Sequence, residues 1–489
     1  MLNHLKNEAN IAYTENGAVT NASSMSDCLD LFATIGALRA ADEQEIIRRF
    51  VRAYAEDADI AMKILFFGRD VRGGLGERRV FRVIINWLAE NKTESLRKNL
   101  ELIPEFGRYD DLVSLLGTAC EKDALRTVQK LLKADLASDA EVSLLAKWLP
   151  SVNASNAETV RKAKRVARYL GMSDAEYRKT LAELRKKIRI IENNLREKDY
   201  SFDYAKQPSK AMFKYRKAFL RNDGERYNAF LEAVSRGDKQ LHADNLAPYE
   251  IVRSALKANR WGFNARLTAG EKASLNASWE SLPNFCDNRN ALAVVDTSGS
   301  MYCYDNALPA AVAMSLGLYF GERNTGIFHN HFIEFSARPQ LIEIKGKTFA
   351  ERLEYICSFN EVADTNVEAV FNLILDAAVR NHVPREELPE TLYLISDMEF
   401  NSCVRNASLS NFENAKRRFA EHGYKLPQIV FWNVASRNCN QPVTKNEQGV
   451  ALVSGCTPRL FSRVASGDFS PYSVMMEILE SERYAKISA

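Results

Sequence analysis

No stretch of this chain approaches the roughly 18 consecutive apolar residues that a membrane-spanning helix needs. The opening MLNHLKNEANIAYTENG likewise lacks the apolar core of a signal peptide. A membrane partner is therefore not expected, and a cytoplasmic location is. Cysteines are few and solitary: the eight, at positions 28, 120, 286, 303, 357, 403, 439 and 456, include no CxxC pair and no disulfide-framework spacing, so they read as reduced thiols. Glycine (22) and proline (13) are sparse, and no low-complexity tract appears, which excludes a disordered or fibrous chain. The net charge of +3 says nothing about partners by itself. The glycine-rich run Gly73, Gly74, Leu75, Gly76 lacks the Lys-Ser/Thr ending of a phosphate-binding loop, so it predicts no nucleotide site. No Ser, His and Asp arrangement supplies a nucleophile with its base. With no catalytic residues identified, the chain is expected not to be an enzyme.

What is present is 489 residues, too many for one ordinary core, with 46% hydrophobic and 26% charged content. From Ser26 to about Tyr227 apolar residues recur at three and four, as in DEQEIIRRFVRAYAEDADIAMKILFFGRD. Segments of ten to fifteen residues follow one another across short breaks at Gly73-Gly74, Pro104 and Gly107, the rhythm of irregular, HEAT-like helical pairs. The pattern changes near residue 286. ALAVVD, FIEF, TLYLIS, QIVFWN and GVALVS read as short strands separated by helices such as LPAAVAMSLGLYFGER and NVEAVFNLILDAAVRN. Strand and helix alternating in this way predict a doubly wound parallel sheet. The expected division is an extension over 1–25, an α-helical repeat domain over 26–285 and an α/β domain over 286–489, an α plus α/β architecture.

Ligands of such sheets sit at the carboxyl ends of the strands. Asp296 and Asp397 each follow an apolar strand there, Ser298 and Ser300 alternate along the first loop, and Thr365 opens a helix in DTNVEAVF. Two carboxylates and three hydroxyls suit a hard cation, Mg²⁺ or another divalent ion, which keeps waters and leaves a position open to an acidic ligand. The bland reading has Asp296 and Ser298 capping a helix and Asp397 ending a strand. Hydroxyl ligands, with Glu399 the one further carboxylate at hand, favour binding over hydrolysis.

VVDTSGSM, DTNVEAVF and ISDMEF resemble the metal-ion-dependent adhesion site of von Willebrand factor A domains, which are Rossmann-like. Phe67 to Arg82 (FGRDVRGGLGERRVFR), IPEFGRYDDL, LLAKWLPS, FWNVAS and GVALVSG resemble a family of viral, plant and fungal proteins of unassigned function that pairs a helical domain with a von Willebrand A domain. The domain order is similar to that of the TROVE-domain, Ro-like proteins. That resemblance implies a ribonucleoprotein role with an RNA partner.

Two basic regions are candidates for RNA contact. Arg69, Arg72, Arg78, Arg79 and Arg82 flank the glycines, and guanidinium forks pair well with phosphates, although Arg–Asp pairs between neighbouring helices account for most such clusters. Between Arg161 and Arg221, Lys and Arg exceed acids and tyrosines are interleaved, with Lys206, Lys210, Lys214 and Arg216 the densest patch. A solvated helical face explains the same pattern. Lys147 and Trp148 read as a packed helix end sooner than as a base-stacking pair. His329-Asn330-His331 is read as part of an alternating strand and not as a nuclease motif. The expected function is RNA binding through the helical domain and a Mg²⁺-containing α/β domain. The rival is a protein-interaction module whose metal captures a partner's carboxylate.

Overall fold

The structure is a computed structural model, and it describes residues 1–138, 142–188, 190–257, 262–286, 290–303, 307–335, 337–359, 364–401, 410–464 and 469–489. The chain forms two compact units, an α/β unit of Met1–Asp42 with Tyr204–Ser481 and a helical unit of Glu43–Asp203 with Glu482–Ala489. Among the described residues, no helix is long and apolar enough to cross a membrane.

Eight strands are described: β1 Ile11–Tyr13, β2 Val19–Asn21, β3 Ala291–Asp296, β4 His331–Phe335, β5 Gln340–Glu343, β6 Thr391–Ser396, β7 Gln428–Asn433 and β8 Val450–Ser454. The last six form one sheet in the order β5-β4-β3-β6-β7-β8. All neighbours are parallel except β4 and β5, which make an antiparallel edge. This is a Rossmann-like order, in which the chain winds outward from β3 in one direction and from β6 in the other.

Every residue of β3 (ALAVVD) and β6 (TLYLIS) is buried, as continuous apolar runs should be in a sheet covered on both faces. The helix Leu308–Arg323 lies on β3, β4 and β6 and is buried from Leu308 to Gly321. Its Gly317 is required by that approach, since a Cβ there would stand 2.3 Å from Val295 Cγ2. The expected helix at NVEAVF runs from Val367 to Arg380, and Ser470 caps the helix Pro471–Leu479. Strand β4 starts only at His331; His329 and Asn330 lie in the turn before it, Asn330 with φ of 59°, so the two histidines do not share a strand.

Residues 1–42, expected to begin as an extension, are part of the α/β unit. β1 and β2 pair antiparallel, Ile11 with Asn21 and Tyr13 with Val19, and the hairpin bonds onward through Asn21 to Gln441. Farther along, the Gly36 N–H donates to Ser454 Oγ at 3.0 Å. The helices Ser209–Asn222, Gly224–Ser235, Pro248–Ala255 and Ala269–Glu280 also belong to this unit, with Pro248–Ala255 packed on Leu308–Arg323. The boundary expected at 286 thus falls inside one compact unit.

In the helical unit, chain-neighbouring helices pack on one another, beginning with Glu43–Glu56, Ala58–Arg69 and Arg78–Asn91. Side-chain caps start several of them, Asp57 accepting from Ile60 N–H and Ser173 forming a capping box with Glu176. The segment Glu482–Ala489 completes this unit: Arg483 pairs with Asp70, and Tyr484 donates to Asp70 at 3.1 Å while stacking on Phe106.

Candidate metal centre and basic surfaces

β3 and β6 lie side by side, with Ala291 opposite Thr391 and Val295 opposite Ile395, so Asp296 and Asp397 emerge at the same end of the sheet. Because the connections leave β3 and β6 in opposite directions, a crevice opens between their loops. Asp296, Ser298, Thr365 and Asp397 are all buried there, and Ser300 is half-buried at the start of a short helix. The Ser298 N–H donates to Asp296 Oδ1 at 2.9 Å, Ser396 Oγ donates to Asp296 Oδ2, and the Ser298 and Ser300 hydroxyls stand 3.2 Å apart. Thr365, on the loop before helix Val367–Arg380, is tied to the segment after β6: the Asn401 N–H donates to its carbonyl at 2.9 Å.

Two features set this crevice apart from the rest of the sheet. Burial pushes the Asp296 carboxyl up to about 7, with the neighbouring charge of Asp397 adding to the effect and bonds from Ser298 and Ser396 opposing it. Met398, directly after Asp397, has φ of 68°, an uncommon conformation for a long side chain and one that concentrates at functional sites. The donor set is all oxygen, two carboxylates plus hydroxyls, which fits a hard divalent cation and not a soft one. Among the described residues no group of three or more His, Cys, Asp or Glu is placed to hold a metal, so a cation here would depend on the hydroxyls.

Sequence reasoning missed several groups around the same strand ends. Arg437, on the loop after β7, donates to Asp397 Oδ2 at 2.8 Å and pairs with Glu15 of the N-terminal hairpin. Glu399, noted only as a spare carboxylate, is buried, and burial raises its pKa, with the charges of Asp397 and Glu15 adding to the rise. It accepts from the Glu15 N–H at 2.8 Å and from the Asn438 amide at 3.0 Å. The signal for Arg437 was its place just past a strand end. Glu15 had none, since 422 residues separate it from Arg437.

The arginines flanking the glycines serve mainly to hold the helical unit together. Arg69 is 1% exposed and pairs with the fully buried Asp111 through Nε at 2.8 Å and Nη2 at 2.7 Å. That burial removes it as a phosphate contact. Arg82 reaches Asp110 and Asp111, each at 2.7 Å, and Arg72 donates to the Glu105 carbonyl. Gly107 leaves room for this cluster, as a Cβ there would stand 2.5 Å from Asp111 Oδ2. Arg78 and Arg79 are exposed, each 4.0 Å from an acid, Asp110 and Glu43 respectively. The two sequence motifs, FGRDVRGGLGERR and IPEFGRYDDL, therefore meet as one buried ion-pair network.

Of the densest basic patch, Lys206 and Lys214 are exposed, and Lys214 lies over the Tyr215 ring. Lys210 pairs with Glu250, and Arg216 is half-buried over the Phe213 ring at 4.1 Å, its pKa lowered by burial. Lys147 bonds Glu192, and Arg108 covers Trp148 at 4.7 Å, which agrees with a packed helix end. Within the helical unit, residues 157–198 carry 13 Lys and Arg against 6 acids.

These features define a two-part protein, a helical unit with one basic sector joined to a Rossmann-like unit with an oxygen-lined crevice at its switch point. The chain belongs to the family described as Domain of unknown function (DUF2828), which matches residues 14–135 and 154–286. A second such domain, DUF7788, matches residues 290–468. The chain is 27% identical over 517 aligned positions to the uncharacterized protein L728 of Acanthamoeba polyphaga mimivirus, covering 96% of this chain and 88% of that one. Among solved structures it is similar to the RO (RSR) protein of Deinococcus radiodurans at 16% identity and a TM-score of 0.38, with 96% of each chain covered.

Proposed function

We propose that this chain is a non-enzymatic RNA-binding protein whose helical unit supplies the RNA surface and whose α/β unit holds Mg²⁺ at the crevice between β3 and β6. The observation that carries the reading is the sidedness of two consecutive helices, Ala157–Tyr169 and Asp174–Lys187. Ala163, Val166, Ala167, Tyr177, Leu181 and Leu184 are buried, while Arg161, Lys164, Arg168, Arg178, Lys179 and Lys186 are exposed. Some of these cations have acidic neighbours, as Lys164 has Asp174 at 3.4 Å, but they outnumber those acids. A positive surface of this kind attracts phosphates independently of sequence. The similarity of the domain order to that of TROVE-domain proteins points the same way.

Fluorescence anisotropy with a structured RNA between 50 and 200 mM salt tests the reading. Affinity should fall steeply with salt, and Arg168→Glu with Lys179→Glu should weaken binding and flatten that dependence. Binding that ignores both changes would remove the helical surface from the account.

A second reading is favoured by the crevice itself, which has two buried carboxylates and hydroxyls at a strand switch point. In it the α/β unit is an interaction module whose cation captures a partner's Asp or Glu. Retention of a protein partner in Mg²⁺ and its loss in chelator, with no RNA bound, would decide for this alternative.

A further inference from the structure

The loop of the N-terminal hairpin reaches the strand ends that carry the candidate cation site. Glu15 accepts from Arg437 and from the Asn438 amide at 3.3 Å. Its own N–H donates to Glu399, and Asn16 donates to the Glu399 carbonyl at 2.6 Å. Arg437, its side chain 16% exposed, spans two carboxylates: Asp397 within the crevice and Glu15 on the hairpin.

A guanidinium is a permanent positive charge, and a divalent cation at Asp397 would have the same sign within a few ångströms of it. The two cannot share Asp397 without loss. Once a cation takes that carboxylate, Arg437 keeps its pairing to Glu15.

We infer that Arg437 is the built-in counter-ion of the cation site and that Glu15 receives it when a divalent cation takes Asp397, so that cation binding tightens the hairpin loop. This rests on the Mg²⁺ reading of the crevice. By linkage, a hairpin that draws Arg437 outward favours the cation by the same factor with which the cation favours the hairpin. Arg437 is thus a positioning residue that sets cation affinity, and Glu15 opposes it from a segment more than 380 residues away along the chain from Glu399.

The test uses the full chain and Mg²⁺ alone, with titration calorimetry and hydrogen exchange of residues 11–21. In the unaltered protein, Mg²⁺ should slow exchange in the hairpin. Arg437→Gln should bind Mg²⁺ about tenfold more tightly, because a like charge is removed, and should lose the slowing. Glu15→Gln should bind it several-fold more weakly. Unchanged or weaker binding by Arg437→Gln, or a hairpin whose exchange ignores Mg²⁺ while Mg²⁺ binds, overturns the coupling and leaves the cation site standing. No binding of Mg²⁺ to the unaltered chain overturns both. The exchange measurement needs no variant, so a substitution that fails to fold does not shield the inference.

Discussion

Replacing Asp111 by Asn tests whether the arginine motif of the helical unit is structural. Asp111 is fully buried and accepts from Arg69 Nε at 2.8 Å, Arg82 Nε at 2.7 Å and its own cap residue Arg108 N–H at 3.0 Å. Asparagine keeps the volume but removes the charge, leaving the buried Arg69 guanidinium without its counter-ion. Breaking one side of a buried pair costs about 3–5 kcal/mol. Hydrogen exchange read on the helices Ala58–Arg69 and Arg78–Asn91 confines the measurement to this unit. At about 1.4 kcal/mol per tenfold, their slowest amides should lose roughly two to three and a half orders of magnitude of protection. Arg78→Ala is the control: its guanidinium is 52% exposed and 4.0 Å from Asp110, so it should cost less than about 1 kcal/mol. A loss of protection under about threefold for Asp111→Asn would refute the argument that this buried pair holds the helical unit together.

Further outcomes follow from the same geometry. The folded-state pKa of Asp296, about 7, lies above its ordinary value of 3.8, so without metal the folded protein holds a proton that the unfolded chain releases. Cation-free stability should therefore fall as pH rises from about 4 to about 7 and level off above that. Thermal melts of the chelated protein across this range check the direction, and a rise over the window would contradict it. Added Mg²⁺ should flatten the slope by favouring the ionised carboxylate. Ser298→Ala and Ser300→Ala should each weaken Mg²⁺ binding in calorimetry with little change in melting, whereas Asp296→Ala should abolish it. Gly107→Ala should destabilise the helical unit by about as much as an overpacked core, 1–3 kcal/mol, since its Cβ would press on Asp111; exchange of the same helices reads it.

The α/β unit was largely legible in the sequence because its signals are short-range. Fully apolar strands ending in Asp296 or preceding Asp397 announce a sheet covered on both faces, and the alternation Asp296, Ser298, Ser300 sits within one loop. What sequence could not carry was partnership across long separations. Glu15 and Arg437 acquire their meaning only from each other and from Asp397, and the first 25 residues gave no periodicity to attach them to a sheet that begins near residue 291. The arginine motif misled for a different reason. An arginine beside glycines has the same spelling whether it faces phosphate or a buried Asp111, and only burial separates the two. The helical pattern runs on past residue 204 to about Tyr227 without a break, so periodicity had no means of assigning the helices from Tyr204 onward to the α/β unit.

The helical unit is assembled from segments far apart in synthesis, and that has a kinetic consequence. Asp70 is paired by Arg483, 413 residues later. At 5–20 residues per second, a ribosome needs about 20–80 s to cover that interval. For this time the Phe106 ring, packed on Phe66, lacks the Tyr484 ring that will stack on it, and Asp70 lacks the Arg483 and Tyr484 side chains that will pair with it. Helices that leave the ribosome early must therefore wait for the closing strand of contacts, and holdase chaperones have a defined interval in which to bind them. Refolding from denaturant, where all segments are available at once, should lack that wait.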